Sequence, residues 1–317
     1  MTVAFTNRNK KHNIMKKIAF LAPFAALALL ALAACSRVEP VNPGTDLPIR
    51  VDAGIGVPTR TTTDGNTEAF TSGDQVALFV WTGSNSAVPA DLVVNGVVNT
   101  LQSDGTWAPA SKMYWKDVES AHYFLGVFPA RAISNFKMDS FTINPSDYEA
   151  SDLLVATKLE GIKATEVPVP LSFKHVMSKF QLNLSYSNQW DTAPAGTTAE
   201  ATDVDMACKV DYLNGSTEQA RDKGNAALTK LAKAASGCAE SFSTILIPQA
   251  GFNTVTLVVD KQTYIYTHPS DIVLSSGKTT VLNLLVGRDR LELGSMTIAD
   301  WTSQGEPVEG EVFKPAA

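Results

Sequence analysis

The sequence predicts an all-β protein, two sheet-built bodies in tandem behind an export leader. Three observations predict it. From Leu47 onward, short runs of β-branched and aromatic residues are broken by Gly, Asn, Asp and Pro at intervals of roughly ten residues, the pattern of a sandwich or barrel. Of the 317 residues, the 34 of the leader leave 283, more than one core comfortably fills, and a hydrophobic content of 44% is enough for two. The main helical candidate is a single stretch, Ser216 to Ala235, rich in Ala and Lys but weakened by Gly224, which reads as a short inserted element in the second body.

The leader is residues 1–34. Lys16 and Lys17 supply a positive end, Ile18 to Ala34 an apolar stretch, and the small Ala33 and Ala34 let a peptidase reach the Ala34–Cys35 bond. Cys35 closes this run as in a lipobox, so its thiol is expected to carry the lipid anchor, palmitate among its acyl chains. The apolar stretch falls short of the roughly twenty residues of a spanning helix, and no second run follows. Met15 opens a conventional signal by itself, so the start of translation is expected there rather than at Met1.

Residues 35–46 hold two prolines and a glycine without apolar period and read as a flexible tether. The N-terminal body is placed at 47–165 and the C-terminal body at 166–317, with a hinge near Gly161 to Pro170. Within the first, Gln75 to Trp81 reads as a buried strand, and Asn95-Gly96, flanked by Leu92-Val93-Val94 and Val97-Val98, reads as the type I′ turn of a hairpin. Tyr123 to Phe128 reads as another strand, ended by Pro129, which has no N–H to donate.

Phe173 to Lys179 keeps no single phase, which suggests a bulge. Phe180, Leu182, Leu184 and Tyr186 alternate with Gln181, Asn183 and Ser185, which predicts one buried and one wet face. Val255 to Val259 and Tyr264 to Tyr266 flank Asp260-Lys261 as a second hairpin, and Val281 to Val286 supplies a further strand.

Charge narrows the partners. The chain carries 26 basic and 32 acidic side chains; five of the basic ones and none of the acidic lie before Cys35, which leaves 21 against 32, a net charge of −11. Such a surface repels nucleic acid, which needs clustered Lys and Arg to displace counterions. Membrane attachment is therefore expected through the lipid alone.

The residues offer no catalytic signature. His122, His175 and His268 have no neighbour at metal-ligand spacing. Gly277-Lys278-Thr279 ends like a phosphate loop, but Ile272 stands where that loop needs glycine. There is no Gly-x-Ser-x-Gly elbow, so neither an enzyme nor a cofactor is expected. Cys208 and Cys238 are expected either as two buried thiols or as a bridge, which would close a loop of roughly thirty residues and stabilise by roughly 3 to 4 kcal/mol. Trp81, Trp107, Trp115, Trp190 and Trp301 are expected as core plugs, with a glycan-stacking platform as the alternative.

Taken in order, several stretches resemble the fimbrillin-like lipoproteins of Bacteroidetes, the group of Mfa-like proteins and type V pilus subunits. They are the lipobox at Cys35, Pro58-Thr59-Arg60, Phe70 to Phe79, Met113-Tyr114-Trp115, Tyr123 to Pro129, Asp152 to Ala156, Leu171 to Lys179, and Ile298-Ala299-Asp300-Trp301. The resemblance implies two transthyretin-like β-sandwich domains, a lipid anchor at the outer membrane, and assembly with other fimbrial subunits for adhesion to a host or bacterial receptor or glycan at the cell surface. It also implies that a protease cuts after an arginine, here Arg60, and that the strand Leu47 to Val57 is then replaced by a neighbour's strand. The C-terminal stretch Gln304 to Pro315, with three acids, two prolines and two glycines, departs from a good donor strand and favours an accessory, tip or anchor subunit. The alternative is a glycan-binding outer-membrane lipoprotein outside any pilus.

Overall fold

The β-branched and aromatic runs fold as strands over more than half of the described residues. The computed structural model describes residues 46–56 and 69–301; the leader, Cys35, Arg60 and the stretch from 302 onward lie outside the described residues. In chain order the first half gives β1 (Val51–Ile55), β2 (Gln75–Thr82), β3 (Val94–Leu101), β4 (Trp107–Pro109), β5 (His122–Phe128), β6 (Asp139–Thr142), the one-turn helix α1 (Tyr148–Ser151), β7 (Leu154–Ile162) and β8 (Val169–His175). The second half gives β9 (Ser178–Tyr186), β10 (Thr198–Asp205), β11 (Ala207–Asp211), β12 (Ser216–Gln219), β13 (Lys223–Lys230), β14 (Glu240–Leu246), β15 (Gln249–Val259), β16 (Gln262–Leu274), β17 (Lys278–Val286) and β18 (Leu291–Asp300).

Two large sheets follow one another. The first has the order β1-β8-β7-β5-β2-β3-β4 and the second β16-β15-β10-β13-β14-β9-β17-β18; β12, β11 and β6 form a small third sheet. Pairing is antiparallel except for β1 with β8 and β9 with β17. The all-β class therefore holds. β2 shows how the layers stack, because six consecutive residues, Val76 to Trp81, are buried on both faces. Val76, Leu78 and Val80 pack with Phe124, Leu154, Leu171 and Phe173 in one core, while Ala77, Phe79 and Trp81 join a second core that also contains Phe180, Leu182 and Phe242 from the second sheet. Burying each such side chain stabilises by roughly 1.5–3 kcal/mol.

Several expectations are corrected here. The expected division between residues 165 and 166 falls one strand early: β8 belongs to the first sheet, and the chain passes to the second between His175 and Ser178. Gly161 to Pro170 is thus the end of β7 and its link to β8, and the irregular phase over Phe173 to Lys179 marks this crossing, not a bulge. The helical insertion expected over Ser216 to Ala235 is strand, forming β12 and β13. In β13, Ala226 and Leu228 are buried while Asn225, Ala227 and Thr229 are exposed, a period of two. Seating between β10 and β14 overrides the helix preference of alanine, because tertiary pairing outweighs intrinsic propensity.

The two turn expectations part company. Asn95-Gly96 makes no hairpin; it lies inside β3 as a bulge, where Val80 pairs with Val94 but Leu78 pairs with Val97, and Gly96 takes φ +65° over the Phe79 ring. Asp260-Lys261 does form the two-residue turn, with φ of +48° and +68° between the paired residues Val259 and Gln262. Lysine in that left-handed region is strained. Lys261→Gly is accordingly expected to stabilise by about 0.5–1 kcal/mol in chemical denaturation; a loss of stability would refute the turn assignment.

The face of β9 expected to be wet is also buried. Asn183 Nδ2 donates to Asn283 Oδ1 at 2.8 Å, Ser241 Oγ to Asn183 Oδ1 at 2.6 Å, and Asn283 Nδ2 to Ser295 Oγ at 2.8 Å. Polar residues can occupy a buried face because they satisfy one another across four strands.

Candidate functional site

Residues 46–56 form the most distinctive local arrangement. Alternation puts Ile49 and Val51 inside, and Arg50 and Asp52 outside. The segment changes partner midway. Ile49 N–H donates to the Met113 carbonyl at 2.9 Å and Trp115 N–H to the Leu47 carbonyl at 3.1 Å, with Pro48 bridging Tyr114 in antiparallel sense. β1 then runs parallel to β8, from Val51 opposite Val169 to Ile55 opposite Phe173. Val169 N–H donates to the Arg50 carbonyl and Gly56 N–H to the Phe173 carbonyl, while Trp107 Nε1 reaches the Ala53 carbonyl at 3.2 Å. Eleven residues thus hold the β8 edge of the first sheet beside the 113–115 strip and β4. Ile49 and Val51 belong to the same core as Trp115, Phe124, Leu171 and Phe173.

Between this segment and β3–β4 lies a cleft of about 780 Å³, with Asp46, Arg50 and Asp52 on one wall and Asn99, Trp107 and Tyr114 on the other. Met113-Tyr114-Trp115 is the strip that receives the first segment.

Beneath that strip, Trp115 is buried, donates Nε1–H to the Thr165 carbonyl and packs edge-on to His122, with ring centres 4.9 Å apart. His122 Nε2 accepts from Lys116 N–H at 3.2 Å and Nδ1 lies 3.0 Å from the Ser120 carbonyl, which suits the neutral ring donating from Nδ1. Burial pushes the imidazole below its ordinary value, against the opposing pull of the Ser120 carbonyl and Asp117 carboxylate. A lowered folded value means stability that is present above the unfolded value of about 6.5 and lost as pH falls through the folded one. Thermal stability is expected to fall as pH drops below about 6.5, and less steeply in His122→Gln. Equal pH slopes in the two proteins would exclude this role.

At the crossing between sheets, three more of the matched stretches converge. His175 Nδ1 lies 2.7 Å from Asp152 Oδ1, and its ring stacks on Trp301 at 3.9 Å between centres. Gly277 N–H donates to the Met177 carbonyl and Trp301 N–H to the Gly277 carbonyl. These motif residues fasten the end of β18 where the chain leaves β8.

The other expected residues fall apart or away. Trp81 and Trp115 are core plugs, whereas Trp107 is half-buried at the cleft. Cys208 is buried on β11, its thiol pushed up to about 12 by desolvation, and no bridge joins it to Cys238. Cys208 lies on β11 in the small third sheet, and Cys238 lies just before β14. Of the two thiols Cys208 is buried and Cys238 only half-buried. Among the described residues, no three His, Cys, Asp or Glu gather as a metal site, and no helix is long and apolar enough to cross a membrane. Cys35, Ala34 and Arg60 lie outside the described residues.

A family model described as fimbrillin-like matches residues 59–301. No curated protein matches. Among solved structures, a proposed cell adhesion protein from Bacteroides ovatus is similar with a TM-score of 0.64 and 17% identity, covering 81% of this chain and 98% of its own. Another from Bacteroides uniformis has a TM-score of 0.62 and 17% identity over 81% and 99%, and one from Parabacteroides distasonis 0.50 and 10% over 82% and 98%. At these identities the likeness shows a shared fold.

Proposed function

The chain belongs to the fimbrillin-like family of fimbrial and cell adhesion proteins, and from that membership we propose that it is a lipid-anchored accessory subunit, tip or anchor, of an outer-membrane fimbrium. In this reading Cys35 carries the acyl chains after cleavage behind Ala34. Cleavage at Arg60 then frees residues 46–56, and a strand from a neighbouring subunit takes their place. One observation carries the exchange: this segment bonds two separate partners and buries Ile49 and Val51 against a core it does not itself complete. Its departure leaves the backbone of 113–115 and 169–173 unpaired beside exposed apolar side chains, an arrangement that favours capture of another strand. The composition of 304–315 supports an accessory role over a polymerising stalk.

Limited digestion with an arginine-specific protease tests it. The expected product begins at Thr61 and resists further digestion; cleavage scattered through the body would reject the proposal. Mass spectrometry of the exported protein is expected to find acylated Cys35, and an unmodified thiol there would remove the anchor. The glycan-binding alternative loses Trp115, which is core, and retains Trp107 and Tyr114 at the cleft.

A further inference from the structure

One face of the second sheet is dry although polar side chains build it. On the side of β9 away from Phe180 and Leu182, Lys179 and Gln181 are 0% exposed, and their partners across the strands, Ser243 on β14 and Thr279 and Val281 on β17, are at most 1% exposed. A sheet cannot exclude water from its own face, so a second layer lies over this one. The loop between β13 and β14 supplies one corner of it, where Ala235 N–H donates to Ser241 Oγ at 2.9 Å. Lys179 lies towards the other end of β9, beside Thr279. Lysine is almost never fully buried unless it is paired, because an uncompensated ion in the interior costs several kcal/mol. The layer over Lys179 is therefore expected to bring an anion.

The chain leaves the sheet at that same end. Ala299 pairs with Thr279, and Trp301 is held beyond it by its N–H on the Gly277 carbonyl and its ring on His175. Residues 302–317 follow, with Glu306, Glu309 and Glu311 set among Val308, Val312 and Phe313. Extended, these sixteen residues reach about 50 Å, whereas β18 to β14 spans three strand spacings, about 15 Å. Lys233, exposed in the β13–β14 loop, stands at the far corner. A path from Trp301 to that loop passes Lys179 and ends at Lys233, so its acids meet both lysines and its apolar residues meet Val281 and Ile245.

We infer that residues 302–317 form this second layer, docked on their own body by charge and apolar complementarity. The inference rests on the accessory-subunit reading for its consequence. A tail seated on its own body is not offered to a neighbour, so a fibre ends where such a subunit joins.

The test uses the intact mature chain. Carbodiimide coupling, which joins a lysine to a carboxylate in contact with it, is expected to link Lys233 to Glu309 or Glu311 within one chain. In an equal mixture of isotopically light and heavy protein, links between unlike copies, or no link from Lys233 to the tail, would overturn the inference. Amine acetylation then reads Lys179, which is expected to react far more slowly than the exposed Lys261. In the combined variant Glu306→Lys, Glu309→Lys and Glu311→Lys, acetylation of Lys179 is expected to rise about tenfold or more while amide exchange in β2 keeps its parental rate, the mark of a local opening. Lys179 as protected as in the parent would also overturn it. Should the variant misfold, the linkage result on the unaltered chain still decides. Neither measurement involves a fibre or a lipid, so either can fail while the accessory-subunit reading, tested by protease and acylation, stands.

Discussion

Ile49→Asp is expected to detach the first segment from an otherwise folded protein. Ile49 is 2% exposed and lies in the core shared with Trp115, Leu171 and Phe173. A carboxylate there would be buried among apolar side chains, and the effective penalty for such a buried ion is several kcal/mol. The least costly escape is for residues 46–56 to leave, because their remaining hold is the burial of Val51, the Trp107 Nε1 bond to Ala53 and a handful of backbone bonds to 113–115 and β8. After cleavage between residues 56 and 69, the parental segment is expected to stay bound. The Ile49→Asp segment is expected to dissociate, with its equilibrium shifted by about 3 kcal/mol or more, over a hundredfold. Ile49→Val, at about 0.5–1.5 kcal/mol, separates the charge effect from simple loss of packing. Size-exclusion chromatography with mass spectrometry reads the retained fraction. Retention of the Ile49→Asp segment at parental levels would show that it contributes little to the first core.

Gly126→Ala is the second large effect. Gly126 sits mid-strand in β5, and a Cβ there would lie 2.5 Å from Cζ of Phe173, whose ring is fully buried. Phe173 has little room to turn aside, because Phe70 packs edge-on against it with ring centres 5.3 Å apart and β1 lies alongside β8. Overpacking of this kind costs about 1–3 kcal/mol, and the closeness of the contact puts this case at about 3. Urea denaturation is expected to show that loss. Adding Phe173→Leu is expected to recover part of it, a coupling between touching residues. If the double variant is merely the sum of the singles, the ring is not what excludes the methyl group. The glycine that weakens β5 on propensity grounds is thus required by the ring across from it.

Much of the fold was legible because it is written in local chemistry. The buried run of β2, the termination of β5 at Pro129 and the Asp260-Lys261 turn all follow from period, ring geometry and turn preference over a few residues. The same reasoning failed where two outcomes share one local signal. Asn95-Gly96 suits a turn or a bulge, and only pairing with Leu78 and Val80 selects the bulge. Asn183 looks solvent-facing until Ser241 and Asn283 arrive from other strands to satisfy it. Ala226 and Leu228 fit either period, and β10 and β14 decide it.

The candidate site was visible only in outline. Sequence marked Leu47 to Val57 and Met113-Tyr114-Trp115 as separate stretches, about sixty residues apart. It gave no sign that they pair, nor that Asn99 would be left with an unpaired acceptor between them.

By itself the sequence determined the all-β class, most strand positions and a net negative charge. The tertiary structure alone decided where one sheet hands over to the next, that no bridge joins Cys208 to Cys238, and that the first segment walls a cleft. The division has a physical cause. Side-chain alternation and turn preferences act within a few residues, whereas strand order, burial of a second face and the meeting of cleft walls depend on contacts between residues far apart in the chain.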